Sequence, residues 1–276
     1  MTATPAPQSR VLTLLSALVE EHCGLKLDTS EGSAFGDRVW ARAVEAGYES
    51  LLDYYYFLRY DAAAPGELKR LIDELVINET YFFRELEPLR VAVDQLLAAR
   101  VAENGRARIW SAACSTGEEP TTVAMLVAQA GLTDTVDIIA SDVSERALAR
   151  ARKGDWSRRA LREVPSPALA SRWLQEDEQG RPRLRSELLS TIDFRRVNLT
   201  KPDEVAAVGP CDVILCRNVL IYFSDETAAK VVANLTGNLA PRGALFVGVS
   251  ESLLRLGTGL ECEELDRCFF YRAAGT

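Results

Sequence analysis

The chain has a single histidine, His22, and it stands in an amphipathic helical pattern with no Cys, His or Asp cluster around it. That argues against a histidine-based triad and against a zinc site, so no metal is expected. The six cysteines (Cys23, Cys114, Cys211, Cys216, Cys262, Cys268) show no C-x-x-C spacing, and three lie in or beside predicted strands. They read as reduced, mostly buried small side chains. Long apolar runs are missing too. VILC at 213–216 and ALFVGV at 244–249 are far too short to cross a bilayer, and MTATPAPQSR has no apolar signal core. No membrane insertion and a cytoplasmic location follow as expectations. A net charge of −8 lacks the basic balance of a general nucleic-acid binder, so no nucleic-acid partner is expected.

What is present suffices for a substantial core: 276 residues, 47% of them hydrophobic, make one large or two modest domains. Up to residue 77 the periodicity is helical, in VLTLLSALVEEHCGL, GDRVWARAVEAG, ESLLDYYYFLRYD and GELKRLIDELVI, which predicts an N-terminal domain of about four helices over 1–77. Residues 78–104 read as a linker and connecting helix. From 105 to 276 strands alternate with helices: ARIWSAAC, DIIASD, IDFRRVNL, CDVILCRN, ALFVGVS and CFFYRA, with helices near 119–130, 144–152 and 225–239. Such alternation predicts an α/β fold with an open, mostly parallel sheet covered on both faces. A hairpin around EDEQGRPR interrupts the alternation and suggests a small β insertion at about 172–192.

In such a sheet ligands bind beyond the carboxyl ends of the strands, which makes strand-end residues the ones to inspect. IWSAACSTGEEPTTVAM at 109–125 reads as a strand, a small-residue turn, two carboxylates and a helix. Ser115 or Thr116 is suited to cap that helix, Pro120 fits its first turn, and Glu118 and Glu119 sit where the helix dipole favours negative charge. One glycine and no lysine argue against a phosphate cradle, and the carboxylates suit a ligand with hydroxyls or positive charge. Asp142, ending DIIASD, is placed either to hold ribose hydroxyls or to cap the next helix, as is Ser144. Arg217 and Asn218 close the apolar run VILC, with Tyr222 and Phe223 just beyond, and describe a pocket mouth or, for the aromatics, a core contact. Asn198 ends IDFRRVNL and is suited to the edge of an adenine ring. In NETYFFRE, Asn78, Thr80 and Arg84 alternate with aromatics, either over the pocket or along an ordinary linker.

NETYFFRE, WSAACSTGEEP, ASDVS, VNL and CRNVLIYF, in that order and spacing, resemble the CheR family of chemotaxis receptor methyltransferases, and LAPRGALFVGVSESL at 239–253 is similar to its penultimate strand region. The resemblance covers most of the chain. It implies a Rossmann-like S-adenosylmethionine-dependent methyltransferase sheet with a small N-terminal helical domain and an inserted β subdomain. It also implies S-adenosylmethionine as cofactor, S-adenosylhomocysteine as product, and methyl transfer to glutamate side chains of chemoreceptors. By the same resemblance Asn78, Thr80 and Arg84 close over the cofactor and Glu118 meets its methionine or sugar part. Asp142 holds the ribose, Asn198 and Leu199 border the adenine, and Arg217 and Asn218 complete the pocket. Arg84 and Tyr222 lie nearest the methyl group as catalytic residues.

Two departures bear on partners. EDEQGRPR has only Gly180 where some family members carry a glycine-rich loop that docks a receptor C-terminal peptide, so tethering to a receptor tail is doubtful. Residues 1–76 hold seven Lys/Arg against twelve Asp/Glu, whereas a domain that reads acidic receptor helices is expected to be basic. Arg38 and Arg42, one helical turn apart, offer a local patch or an ordinary solvated face. Three activities compete: a protein-glutamate O-methyltransferase acting on chemoreceptors or a related chemosensory array, a small-molecule or RNA methyltransferase of the same sheet type, and a non-catalytic cofactor-binding signalling module.

Overall fold

The computed structural model describes residues 6–30, 33–154, 156–164 and 167–273. The chain forms two compact units, Met1–Ile77 with Tyr222–Thr227, and Asn78–Ile221 with Ala228–Thr276.

Four helices build the first unit: α1 (Ala6–Cys23), α2 (Ala34–Glu45), α3 (Leu51–Tyr60) and α4 (Ala64–Leu75). Their apolar stripes meet in a core that includes Leu15, Val19, Val39, Tyr54 and Leu71. Ser50 caps α3 by accepting from the Asp53 amide, and Pro65 occupies the first turn of α4, where its missing N–H costs nothing. A charged cluster is buried among them. Glu67 takes Arg42 Nε at 2.6 Å, Arg42 Nη2 at 2.8 Å and the Tyr54 hydroxyl at 2.9 Å. The expected Arg38–Arg42 patch is therefore corrected. Arg38 is exposed, but Arg42 is turned inward and held between Glu67 and Glu45. A helical wheel does not report an acid supplied by another helix.

The second unit opens with one helical run, α5 (Leu86–Arg90), a wider π-helical stretch Val91–Leu97 and α6 (Ala98–Asn104), closed by Gly105 at φ 76°. The strands follow in chain order: β1 (Ala107–Ala112), β2 (Val136–Asp142), β3 (Leu174–Glu176), β4 (Pro182–Leu184), β5 (Ile192–Arg196), β6 (Cys211–Cys216), β7 (Leu239–Val247), β8 (Leu260–Leu265) and β9 (Cys268–Ala273). The helices between them are α7 (Glu118–Gln129), α8 (Glu145–Lys153), α9 (Pro167–Trp173), α10 (Ser186–Leu189), α11 (Pro202–Ala206) and α12 (Asp225–Thr236). Seven strands form one sheet in the order β5-β2-β1-β6-β7-β9-β8, parallel except for the two pairings made by β9. The α/β fold expected from the alternation is what the chain adopts. Ile109–Ala112 and Val213–Cys216 are buried, as strands covered on both faces must be. β8 was not anticipated because LECEEL is an exposed, charged edge strand with no apolar signal.

From β1 the chain runs outward through β2 to β5, then returns to β6 on the other side of β1, which puts the switch point between β1 and β6. The inserted hairpin β3–β4 turns on Asp177, whose carboxylate accepts from the amides of Gln179 and Arg181. Among the described residues no helix is long and apolar enough to cross a membrane, and no group of three or more His, Cys, Asp or Glu is placed to hold a metal ion.

Candidate functional site

After β1 the backbone turns through three left-handed residues in five, Ala113 (φ 66°), Ser115 (φ 51°) and Gly117 (φ 91°). Such residues persist only where the surroundings over-determine them. Here the Cys114 amide donates to the Ser141 carbonyl at 2.7 Å, and the Ser115 amide to Asp142 Oδ2 at 2.8 Å. A Cβ on Gly117 would stand 2.7 Å from the Ala151 Cβ, so only glycine lets this turn lie against α8. Neither serine nor threonine caps α7. Gly117 holds the N-cap position, Ser115 Oγ donates to Asn78 Oδ1 at 3.2 Å, and Thr116 Oγ1 donates to Glu118 Oε2 at 2.7 Å. The cap was misread because αL geometry at Gly117 is invisible in a run of small residues.

Asp142 is not the cap of α8. Ser144 caps α8 by accepting from the Ala147 amide, while Asp142 accepts from the backbone of two strand-end loops, Ser115 N and Ser144 N. It is thus a carboxylate fixed at the carboxyl ends of β1 and β2. Glu118 is buried in the first turn of α7, and burial pushes its carboxyl above the ordinary range against the Thr116 hydrogen bond that pulls it down. Cys114 between them is no nucleophile: burial, then the negative charges of Asp142 and Glu119, push its thiol well up.

Asn78, Thr80 and Arg84 lie half-buried on the segment leading into α5. Phe83 (φ 64°) and Glu85 (φ 47°) are left-handed, and the segment is anchored through Phe82 N to the Ala160 carbonyl at 2.9 Å and Phe83 N to Thr122 Oγ1 at 3.2 Å. Arg84 Nη1 donates to the Glu79 carbonyl at 3.0 Å. Arg162, which sequence reasoning missed, joins this group. Its guanidinium lies 3.9 Å from the Tyr81 ring centroid, and it pairs with Glu79 at 2.7 Å, while Arg84 stands 5.7 Å from the same ring. No local pattern links residue 162 to residue 81.

Beyond β6, Arg217 is buried between two acids, Glu119 at 2.7 Å and Glu85 at 2.9 Å, and its Nη2 also reaches the Arg84 carbonyl at 2.9 Å. Most of that guanidinium is spent inside the protein; its Nε lacks an acceptor among the described residues. Burial pushes Glu85 up, and the Arg217 charge with its hydrogen bonds outweighs that, leaving the carboxyl below its ordinary value. Asn218 (φ 58°) donates from Nδ2 to Glu85 at 3.3 Å, and its amide donates to Glu251, which also accepts from Gly248 and Ile221. Glu85 and Glu251 thus fix the β6 loop; each lies in a quoted motif, NETYFFRE and LAPRGALFVGVSESL, but neither is singled out there. Asn198 is buried with Oδ1 accepting from the Thr200 amide and hydroxyl, and Leu199 is buried beside it. Tyr222 groups with the helical unit, where its carbonyl accepts from the Lys26 amide at 2.8 Å.

The sheet order defines a doubly wound, mostly parallel α/β protein, with carboxylates fixed at the strand ends beside its switch point. Residues 78–269 match the family described as CheR methyltransferase, SAM binding domain, and residues 11–76 match CheR methyltransferase, all-alpha domain. The chain is 31% identical over 268 residues to chemotaxis protein methyltransferase 1 of Pseudomonas aeruginosa, covering 94% of this chain and 96% of that one. It is 34% identical over 261 residues to a chemotaxis protein methyltransferase of Vibrio parahaemolyticus, covering 92% of each. A probable biofilm formation methyltransferase of Pseudomonas aeruginosa is 34% identical over 251 residues, 88% of this chain and 58% of that one. The chain belongs to the CheR methyltransferase family, whose cofactor is S-adenosylmethionine.

The residues present fit that cofactor. Glu118 is a buried carboxylate that accepts from the Thr116 hydroxyl and has no cation hydrogen-bonded to it among the described residues, which suits an amino group or sulfonium. Asp142 is a pre-positioned acceptor for a diol, and the glycine-poor, lysine-free turn is wrong for a pyrophosphate.

Proposed function

We propose that this protein methylates glutamate side-chain carboxylates on the cytoplasmic helices of a chemoreceptor, or of the receptor in a related chemosensory array, and so sets adaptation. Residues 105–276 are the catalytic domain in this reading, joined by 78–104 to the helical domain 1–77. The observation that carries it is the bond from Ser115 Oγ to Asn78 Oδ1, which ties the NETYFFRE segment to the cofactor turn and so puts Arg84 on a strand of chain fixed to that turn.

S-adenosylmethionine, when bound, supplies an electrophilic methyl group. Asn78, Thr80 and Arg84 would close over it, with Glu118 and Asp142 toward its methionine and ribose, Asn198 and Leu199 toward its adenine, and Arg217 and Asn218 at its edge. The acceptor glutamate is ionised at neutral pH, with a reference pKa of about 4.3, and needs no general base. What this chain must supply is orientation and partial desolvation of a weak nucleophile. Arg84 steers and orients the acceptor carboxylate. Tyr222 would donate a hydrogen bond to the non-attacking oxygen.

Transfer of labelled methyl from the cofactor to receptor-bearing membranes, with a base-labile product, tests the reading. Base-stable label or label in RNA rejects it, and tight cofactor binding without transfer replaces it with a signalling module. Arg84→Ala is expected to lower turnover by about 10²-fold, the scale of a lost orienting contact, with cofactor still bound.

A further inference from the structure

Between residues 146 and 162 seven Arg/Lys stand against one acid, in a chain whose net charge is −8. On α8, Arg146, Arg150 and Lys153 follow one another at helical spacing on the exposed side, while Ala147, Leu148 and Ala151 are buried. Cations in the last turn of α8 complement its dipole, but Arg158 and Arg159 lie beyond the helix and gain nothing from it. Arg152 pairs with Glu145 and Arg162 with Glu79. Arg150 is exposed and its charge reaches Glu118, whereas Lys153 and Arg159 are exposed and, among the described residues, have no acidic partner. These neighbouring cations repel one another, and an anionic partner would relieve that repulsion.

This basic edge borders the site on two sides. Ala151 lies against Gly117 in the cofactor turn, and Ala160 accepts from Phe82 in the segment that carries Arg84. Arg150 and Arg162 both act on the Glu118 carboxyl through space. The helical unit offers no equivalent: residues 1–76 carry seven Lys/Arg against twelve Asp/Glu, and Arg42 is buried on Glu67.

We propose that the edge formed by α8 and the 158–161 turn is the docking surface for the acidic, glutamate-bearing helix of the methyl acceptor. The assignment rests on the proposed glutamate methylation. Charge complementarity selects this occupant: a segment bearing several glutamates presents the anionic face that these cations lack inside the chain.

The test uses the full chain and a soluble cytoplasmic receptor fragment, with Lys153→Glu/Arg159→Glu as the variant. Arg150 stays in place because its charge reaches Glu118. The expected result is a KM for the receptor fragment raised about tenfold at low salt, with kcat and S-adenosylhomocysteine affinity little changed. The wild-type KM should climb with added salt and the variant's should not. An unchanged KM and an unchanged salt slope in a variant that still binds S-adenosylhomocysteine would overturn the proposal. So would charge-dependent binding to phosphatidylglycerol vesicles with no effect on the soluble fragment, which would make the edge a membrane contact. Should the double reversal fail to fold, Lys153→Gln/Arg159→Gln gives the same readings at smaller amplitude. Failure of glutamate methylation itself is separate, because it appears already in the wild-type protein.

Discussion

Glu119, in the first turn of α7, and Arg217, at the end of β6, form a 2.7 Å ion pair across 98 residues of sequence. The pair joins two strand ends at the switch point, with Ser111 donating to the other Glu119 oxygen at 2.7 Å and Glu85 taking the far side of the guanidinium.

Arg217→Met should therefore do more than remove a cation. It leaves Glu85 and Glu119 as unpaired, largely buried carboxylates, a change that costs about 3–5 kcal/mol when a buried pair loses one partner. Denaturant unfolding should report a loss of that size, and the double variant Arg217→Met/Glu119→Gln should recover part of it. A stability loss under about 1 kcal/mol would mean that the pair behaves as an exposed one.

The raised Glu118 carboxyl gives a pH signature. A carboxyl whose folded value lies above its unfolded value binds its proton more tightly in the folded state. Its contribution is therefore fully present below the ordinary carboxylate range and is lost as pH rises through the raised value. Near neutral pH the ionised buried group is a net cost in the cofactor-free protein. Glu118→Gln should raise the thermal midpoint near pH 7, with the gain shrinking toward about pH 4. Cofactor affinity, measured by calorimetry, should fall in the same variant. A stabilisation that did not vary with pH would assign the gain to packing instead of charge.

Much of this was legible in the sequence. Buried parallel strands need apolar residues on both faces, so VILC and DIIASD announced themselves, and the residues at their ends lie beside the switch point where sheets of this order bind ligands. Asp142 could be located but not assigned, since its partners come from two loops. The roles of Arg162, Glu85 and Glu251 were illegible for a stronger reason: each acts on groups far away in the chain, and even inside a motif a charged residue does not announce its distant partner. Arg42 was misread for the same cause, its partner Glu67 being supplied by another helix.

That Arg42–Glu67 pair makes the helical unit acid-sensitive. Burial pushes Glu67 up, but hydrogen bonds from Arg42 and Tyr54 outweigh it and hold the carboxyl below its ordinary value. A lowered folded value means stability that is present above the unfolded value and lost as pH falls through the folded one. Arg42→Met should destabilise by about 3–5 kcal/mol near neutral pH, with the penalty shrinking in acid as the orphaned Glu67 takes a proton. Near-wild-type stability would place the pair in water.

Arg162 offers the most specific test of how Arg84 is held. Its guanidinium covers the Tyr81 ring and binds the Glu79 carboxylate, and Arg84 uses the Glu79 carbonyl, so one exposed side chain braces the segment from two directions. Cation–π contacts contribute about 0.5–2 kcal/mol, and 1.4 kcal/mol is about tenfold in rate. Arg162→Ala should therefore lower kcat for methyl transfer by up to about tenfold with the thermal midpoint nearly unchanged, because the side chain is 29% exposed and outside the core. Arg162→Lys separates the two contacts: it restores the pairing with Glu79 but not the planar stack on Tyr81. Partial recovery of kcat by lysine would assign the remainder to the stack. Full activity in Arg162→Ala would show that Phe82 N, Phe83 N and the Glu79 carbonyl suffice to hold Arg84.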